Sequence, residues 1–216
     1  MYLVIEGAIG VGKTTLARLL QPAFDAQLQL EVFEENPFLA DFYTDRKRYA
    51  FQTQIFFLLS RYHQQRTIPE IIASGANLIG DYTFEKDCLF AELNLEGDEF
   101  DIYYQVHEAL AEKIPKPDLI IYLRAETDIL MQRIANRDRP YERDMERGYI
   151  ELLGQAYDDF FGERHSGPMV LTIDTNELNY VANPDDLKWV EDRIRQSLKL
   201  VPFQSELPLD IKTEDG

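Results

Sequence analysis

The segment Gly7-Ala8-Ile9-Gly10-Val11-Gly12-Lys13-Thr14, followed by Thr15, has the spacing G-x-x-x-x-G-K-T. Glycines let successive backbone N–H groups turn inward onto phosphate oxygens, and a helix N-terminus behind them adds its positive end. Lysine at Lys13 can reach the β- and γ-phosphates, and a hydroxyl at Thr14 can ligate Mg²⁺. The match stands after a predicted strand and opens a predicted helix, as this chemistry requires. It reads as a nucleoside triphosphate cradle, but it does not choose among kinases, GTPases and motors.

A second cluster narrows that choice. Arg133, Arg137, Arg139 and Arg143 gather at the end of one predicted helix and in the loop after it. Arg133 and Arg137 share a helix face, and Arg139 follows in a loop interrupted by Pro140. Any one of them could simply pair with Glu142, Asp144 or Glu146 on a solvated face. Together, on an acidic chain, they supply the positive charge that a triphosphate in transfer needs. No N-K-x-D segment reads guanine, and the chain is too short for the accessory domains of most motors. An arginine lid over a phosphate loop points to phosphoryl transfer onto a small molecule.

These groups need a scaffold. The chain has 216 residues, enough for one domain with a buried core. Lys+Arg 22 against Asp+Glu 39 gives a formal charge of -17, which argues against a broad nucleic-acid-binding face. Cys88 is the single cysteine, so an internal disulfide is impossible. His63, His107 and His165 lack metal-ligand spacing. The N-terminus opens on an apolar run without a basic leader, and no apolar stretch approaches the roughly 20 residues of a membrane span. A cytoplasmic protein without a membrane partner is the expectation. Tyr2–Ile5, Leu30–Phe33, Asn77–Ile79, Leu119–Leu123 and Met169–Ile173 read as strands. Helical patterns alternate with them over Thr14–Phe24, Lys47–Gln65, Phe84–Leu95, Glu99–Ile114, Glu126–Arg137 and Met145–Phe161. A final helix starts at Asn183-Pro184-Asp185 and runs to about Leu198. Gly97-Asp98 and Pro115–Pro117 read as breaks. This alternation predicts an α/β fold with a five-stranded parallel sheet covered on both faces, occupying 1–200. The segment 201–216 reads as a loose tail.

Further motifs follow in order: Glu34-Glu35-Asn36-Pro37-Phe38-Leu39, then Phe51-Gln52-Thr53-Gln54 leading to Leu59-Ser60-Arg61, then Asp81, then Arg137-Asp138-Arg139 before Glu142. With the phosphate loop, this ordered set resembles the deoxynucleoside kinases, most closely the bacterial deoxyadenosine/deoxyguanosine kinases, and the likeness runs to about Leu198. The resemblance implies a P-loop kinase fold with ATP and Mg²⁺ as cofactors and a deoxynucleoside, a purine one by preference, as acceptor. It makes Glu35 the base for the 5′-hydroxyl, and Tyr43 and Glu142 the pair holding the sugar 3′-hydroxyl. Gln54 reads the base edge, Arg61 and Asp87 form a charged pair above the base, and Arg133 stacks on the ATP adenine against Asn176–Tyr180. Lys13, Arg137 and Arg139 carry the transfer, with Thr14 and Asp81 at the metal. It further implies a homodimer and feedback inhibition by a deoxynucleoside triphosphate. One position departs from the family pattern, which has arginine after the strand-ending acid: here it is Tyr82, and Lys86 or a lid arginine is the available substitute. A nucleoside monophosphate kinase and a non-catalytic nucleotide-binding regulator are the alternatives.

Overall fold

Apolar runs too short for helices become strands, and the three central ones are buried on both faces. The structure, a computed structural model, describes residues 1–200 apart from the side chains of Glu34 and Glu163. The expected tail, 201–216, lies outside the described residues. Strands β1 (Tyr2–Glu6), β2 (Ala26–Gln29), β3 (Asn77–Gly80), β4 (Leu119–Arg124) and β5 (Met169–Asp174) form one sheet in the order β2-β3-β1-β4-β5. Every pairing is parallel, with Leu3 opposite Ile79 on one side and Leu119 on the other. Side-chain alternation in β1 separates the two faces. Leu3 and Ile5 enter the main core, whereas Tyr2 and Val4 pack with Ile68 and Leu78 in a smaller cluster.

The helices are α1 (Lys13–Leu20), α2 (Leu39–Thr44), α3 (Arg46–Gln65), α4 (Ile68–Ala73), α5 (Lys86–Asn94), α6 (Gly97–Ala111), α7 (Thr127–Arg137), α8 (Arg147–Asp159) and α9 (Pro184–Ser197). Asp45 accepts from the Arg48 N–H at 3.2 Å and so starts α3 one residue before the expected Lys47. Asn183 caps α9 in the same way through Asp185 N–H at 3.1 Å. Helix α1 stops at Leu20 and does not reach Phe24, because Pro22 has no N–H for the ladder. Two short helices, α2 and α4, were not expected, since six residues are too few to display a period. Gly97-Asp98, expected as a break, opens α6 with Gly97 at φ 56°.

The important correction concerns β2. The apolar run Leu30–Phe33 was expected to be the second strand, but the strand is Ala26–Gln29. Its four residues hold the sheet edge beside β3 with only partial burial. Phe33 instead begins a 3₁₀ turn, Phe33–Glu35, and its ring faces a cavity. That shift of four residues decides which carboxylate the sheet delivers to the site.

Candidate active site

The carboxyl ends of β1, β2 and β3 converge on one cleft, as ligand sites in open parallel sheets do. After β1, the loop turns through Gly7 (φ 143°), Gly10 (φ 88°) and Gly12 (φ 103°). A Cβ at Gly7 would lie 2.4 Å from the Leu123 carbonyl oxygen, and one at Gly12 would lie 2.5 Å from the Tyr180 hydroxyl. No side chain caps the start of α1, which leaves its first amides for an anion. Lys13 Nζ donates to the Gly7 and Ala8 carbonyls at 2.7 and 3.2 Å. Burial, followed by the neighbouring Lys86 charge, brings Lys13 down to about 8. Thr14 donates its hydroxyl proton to Asp81 Oδ2 at 2.5 Å, and Asp81 Oδ1 accepts from the Glu31 N–H at 2.8 Å. Burial raises Asp81 against those two hydrogen bonds.

Two residues beyond β2, Glu31 stands in the middle of the cleft. Arg61 donates to Glu31 Oε1 through Nε at 2.8 Å and also through Nη2. Lys86 Nζ reaches Glu31 Oε2 at 3.0 Å. Burial alone would raise the Glu31 carboxyl, but the Arg61 and Lys86 charges outweigh it and hold it well below the usual carboxylate range. Arg61 also pairs with Asp87 Oδ1. Burial lowers Arg61's hold on its proton, and the Asp87 and Glu31 charges reverse that. Asp87 is fully buried, and burial pushes it up to about 6 despite Arg61.

Glu31, Lys13, Thr14, Asp81 and Lys86 share one cavity with Tyr43, Gln54, Arg61, Arg137, Arg139 and Glu142. Gln54 is 3% exposed, and its amide has no hydrogen-bond partner among the described residues. Glu142, 4% exposed, receives Arg137 Nη2 at 2.6 and 2.7 Å, and Arg139 Nη1 lies 3.6 Å away. The Arg139 guanidinium covers the Phe33 ring at 3.9 Å. Tyr43 stacks on Tyr141 with centroids 6.2 Å apart, and burial raises its hydroxyl well above the ordinary value.

A second, more open cleft adjoins the first through Gly10 and Arg137. Val11, Gly12, Thr15, Arg133 and Asn176 to Val181 line it. Arg133 donates to the Thr175 carbonyl at 2.7 Å, to Thr175 Oγ1 at 3.0 Å and to the Val11 carbonyl at 3.3 Å.

Most of the expected site residues therefore gather, but not all. Ile9 lines the inner cavity, while Gly7 and Ala8 serve it only through backbone groups. Asp87 does not line the cavity; it stands behind Arg61, with Oδ2 buried and unpartnered. Arg143 turns outward to Asp138 at 2.7 Å. Glu35 lies in the 3₁₀ turn, is exposed and does not line the cavity. The residue missed by sequence reasoning is Glu31; once β2 is known to end at Gln29, it is the first acid after the strand. Lys86 stands beside it at 3.0 Å, while Tyr82, where the family pattern has arginine, turns its hydroxyl to Gln64 Oε1 at 2.7 Å. Among the described residues, no group of three or more His, Cys, Asp and Glu is arranged to hold a metal by itself.

The family model "Deoxynucleoside kinase" matches residues 3–199. A deoxyguanosine kinase of Bacillus subtilis is 34% identical over 199 residues, covering 90% of this chain and 96% of its own. A deoxyadenosine kinase of Dictyostelium discoideum is 34% identical over 181 residues, covering 82% and 73%. The solved structure of a deoxyadenosine kinase from M. mycoides, with products dCMP and a flexible dCDP bound, superposes at TM-score 0.80 and 24% identity. It covers 91% of this chain and all of its own, a likeness of fold. Matched along nearly its whole described length, and carrying a phosphate loop opposite a carboxylate-bearing cavity, the chain belongs to the deoxynucleoside kinase family of ATP-dependent phosphotransferases.

Proposed function

We propose that this kinase transfers the ATP γ-phosphoryl group to the 5′-hydroxyl of a purine deoxynucleoside, with Glu31 rather than Glu35 as the base. The carrying observation is that Glu31 shares the inner cavity with Lys13 and is held there by Arg61 and Lys86. A carboxylate kept ionised in the ground state orients the hydroxyl and accepts its proton as the bond to phosphorus forms. That suits a loose transition state, in which positioning dominates. Lys13 and the α1 amides hold the phosphates. Arg137 and Arg139 meet the charge that spreads over the transferring oxygens. Glu142 and Tyr43 receive the sugar 3′-hydroxyl, and Gln54 reads the base edge with one donor and one acceptor. Asp87 acts through Arg61, which it orients.

Thr14 and Asp81 are the residues that would hold Mg²⁺. Their oxygens stand 2.5 Å apart at the cavity wall, and a phosphate-bound magnesium needs only one or two protein oxygens. When bound, that ion neutralises phosphate charge. In the outer cleft, Arg133 and Asn176 to Tyr180 receive the ATP base.

The names of the relatives, deoxyguanosine and deoxyadenosine kinases, support a purine acceptor. The monophosphate kinase alternative needs an arginine free for an acceptor phosphate, and both ends of the Arg61 guanidinium are engaged. A deoxynucleoside triphosphate held with its sugar in the inner cavity would inhibit; M. mycoides deoxyadenosine kinase has been solved with dATP bound. We extend the reading to a homodimer, supported by exposed Leu59 on α3 and Ile102 on α6, and to a cytoplasmic salvage role. No described helix is long and apolar enough to cross a membrane. Incubating the protein with ATP, Mg²⁺ and a panel of deoxynucleosides and their monophosphates tests the reading. Deoxyadenosine or deoxyguanosine should give the 5′-monophosphate fastest; turnover only with monophosphate acceptors would refute it.

A further inference from the structure

Glu6 is the last residue of β1, immediately before the phosphate loop, and it is fully buried. No lysine or arginine among the described residues forms an ion pair with it. Its carboxylate is satisfied by four hydrogen bonds instead. Oε2 accepts from the Gly7 N–H at 3.2 Å and from the Tyr157 hydroxyl at 3.2 Å. Oε1 accepts from the Thr83 hydroxyl at 3.0 Å and from the Thr83 N–H. A buried acid without a cation is costly, and an apolar residue of similar size would fill the same space more cheaply. What an apolar residue could not do is bind three elements to one point.

Those elements are the parts of the reaction centre. Gly7 begins the phosphate loop. Tyr157 lies on α8 and lines the inner cavity. Thr83 stands two residues beyond Asp81, and its Oγ1 accepts the Lys86 N–H at 3.2 Å, which fixes the first turn of α5. From that turn Lys86 reaches Glu31 at 3.0 Å. One continuous run of hydrogen bonds thus joins the phosphate loop, through Glu6 and Thr83, to the lysine that grips Glu31.

We infer that Glu6 is a positioning residue for phosphoryl transfer: it sets the phosphate loop and the Lys86–Glu31 pair in register with each other without touching substrate. The inference rests on the reading of Glu31 given above. A displacement of about 1 Å between reacting groups lowers turnover about 10²-fold, so the effect belongs in kcat and not in binding.

The test uses the full-length chain. Glu6→Gln keeps an oxygen for Thr83 but turns an amide N–H₂ toward the Gly7 N–H. It should lower kcat by roughly 10–100-fold while leaving the dissociation constants for ATP and deoxynucleoside within about threefold. Should Glu6→Gln not fold, Thr83→Ala decides, because it removes the hydroxyl link, along with one methyl group, and leaves Glu6 in place. Thr83→Ala should lower kcat about tenfold, Thr83→Ser should restore it, and Thr83→Ala should cost nothing further in a Lys86→Met background. The inference is overturned if Thr83→Ala keeps wild-type kcat and only the melting temperature falls. It is equally overturned if the Thr83→Ala and Lys86→Met losses are additive. Failure of the Glu31 reading shows separately, as undiminished turnover by Glu31→Gln.

Discussion

The inner cavity and the outer cleft share Gly10 and Arg137 but are built by different means. In the inner cavity, four charges from three elements are matched to one another: Glu31 after β2, Arg61 on α3, and Lys86 and Asp87 on α5. The outer cleft is walled by the phosphate loop, one side of α7 and the loop from Asn176 to Val181, with Arg133 tied to the carbonyls of Thr175 and Val11. A wall of paired charges is stiff and specific, because moving one member leaves another buried and unpaired. A wall whose arginine is held by neutral carbonyls, not by a buried counter-charge, tolerates more variation in what it receives. Selectivity for the acceptor should therefore sit in the inner cavity, and tolerance among phosphate donors in the outer cleft.

Removing the hub of the inner wall should produce the largest change. Arg61→Ala leaves Glu31 and Asp87 buried with their main partner gone, which costs about 3–5 kcal/mol of stability. The corresponding change outside, Arg133→Ala, removes hydrogen bonds to backbone from a half-buried site and should cost only about 1 kcal/mol. Urea unfolding of both variants measures the contrast. Equal losses would erase the distinction between the two walls.

Much of this was legible in the sequence, because the phosphate loop is a local pattern. Lys13, Thr14 and Thr15 fall where their spacing puts them, and the parallel sheet follows from alternating apolar runs. The lid was legible for the same reason: Arg137, Arg139 and Glu142 lie within six residues of chain. Glu31 was not, because its role depends on where β2 stops. The apolar residues Leu30, Val32 and Phe33 imitate a strand, and the imitation pushed the expected carboxylate out to Glu35. Phe33 is apolar because it lines the cavity beneath Arg139, not because it pairs in the sheet. Asp87 differs again. The resemblance implies its pairing with Arg61, and that pair is present, but only the folded α5 shows that Asp87 does not itself line the cavity.

Gln54 sharpens the comparison at a smaller scale. Gln54→Leu keeps the volume and removes the amide, so the acceptor KM should rise about 10–100-fold, equivalent to 1–3 kcal/mol, with the ATP KM unchanged. Steady-state kinetics with each substrate varied in turn checks this; a matching rise in the ATP KM would show that the two regions are not separable. Smaller still is a pH effect on the phosphate side. Lys13, brought down to about 8, is charged below that pH and neutral above it. Triphosphate binding favours the charged form, so ATP affinity should be level under neutral conditions. As pH rises through 8, affinity should weaken by at most about tenfold per unit. Calorimetry near pH 8 in buffers of different ionisation enthalpy should register proton uptake on ATP binding. Binding of the deoxynucleoside alone should register none from this group.

The central claim is that the acid immediately beyond β2, not the one in the exposed turn, serves the acceptor hydroxyl. Single-turnover rates of Glu31→Gln and Glu35→Gln, measured with saturating ATP and deoxynucleoside, test it most directly. Glu31→Gln should slow phosphoryl transfer by about 10²–10⁴-fold, with deoxynucleoside affinity nearly unchanged, while Glu35→Gln should remain within about twofold of wild type. Full activity in Glu31→Gln together with a collapsed rate in Glu35→Gln would contradict the account.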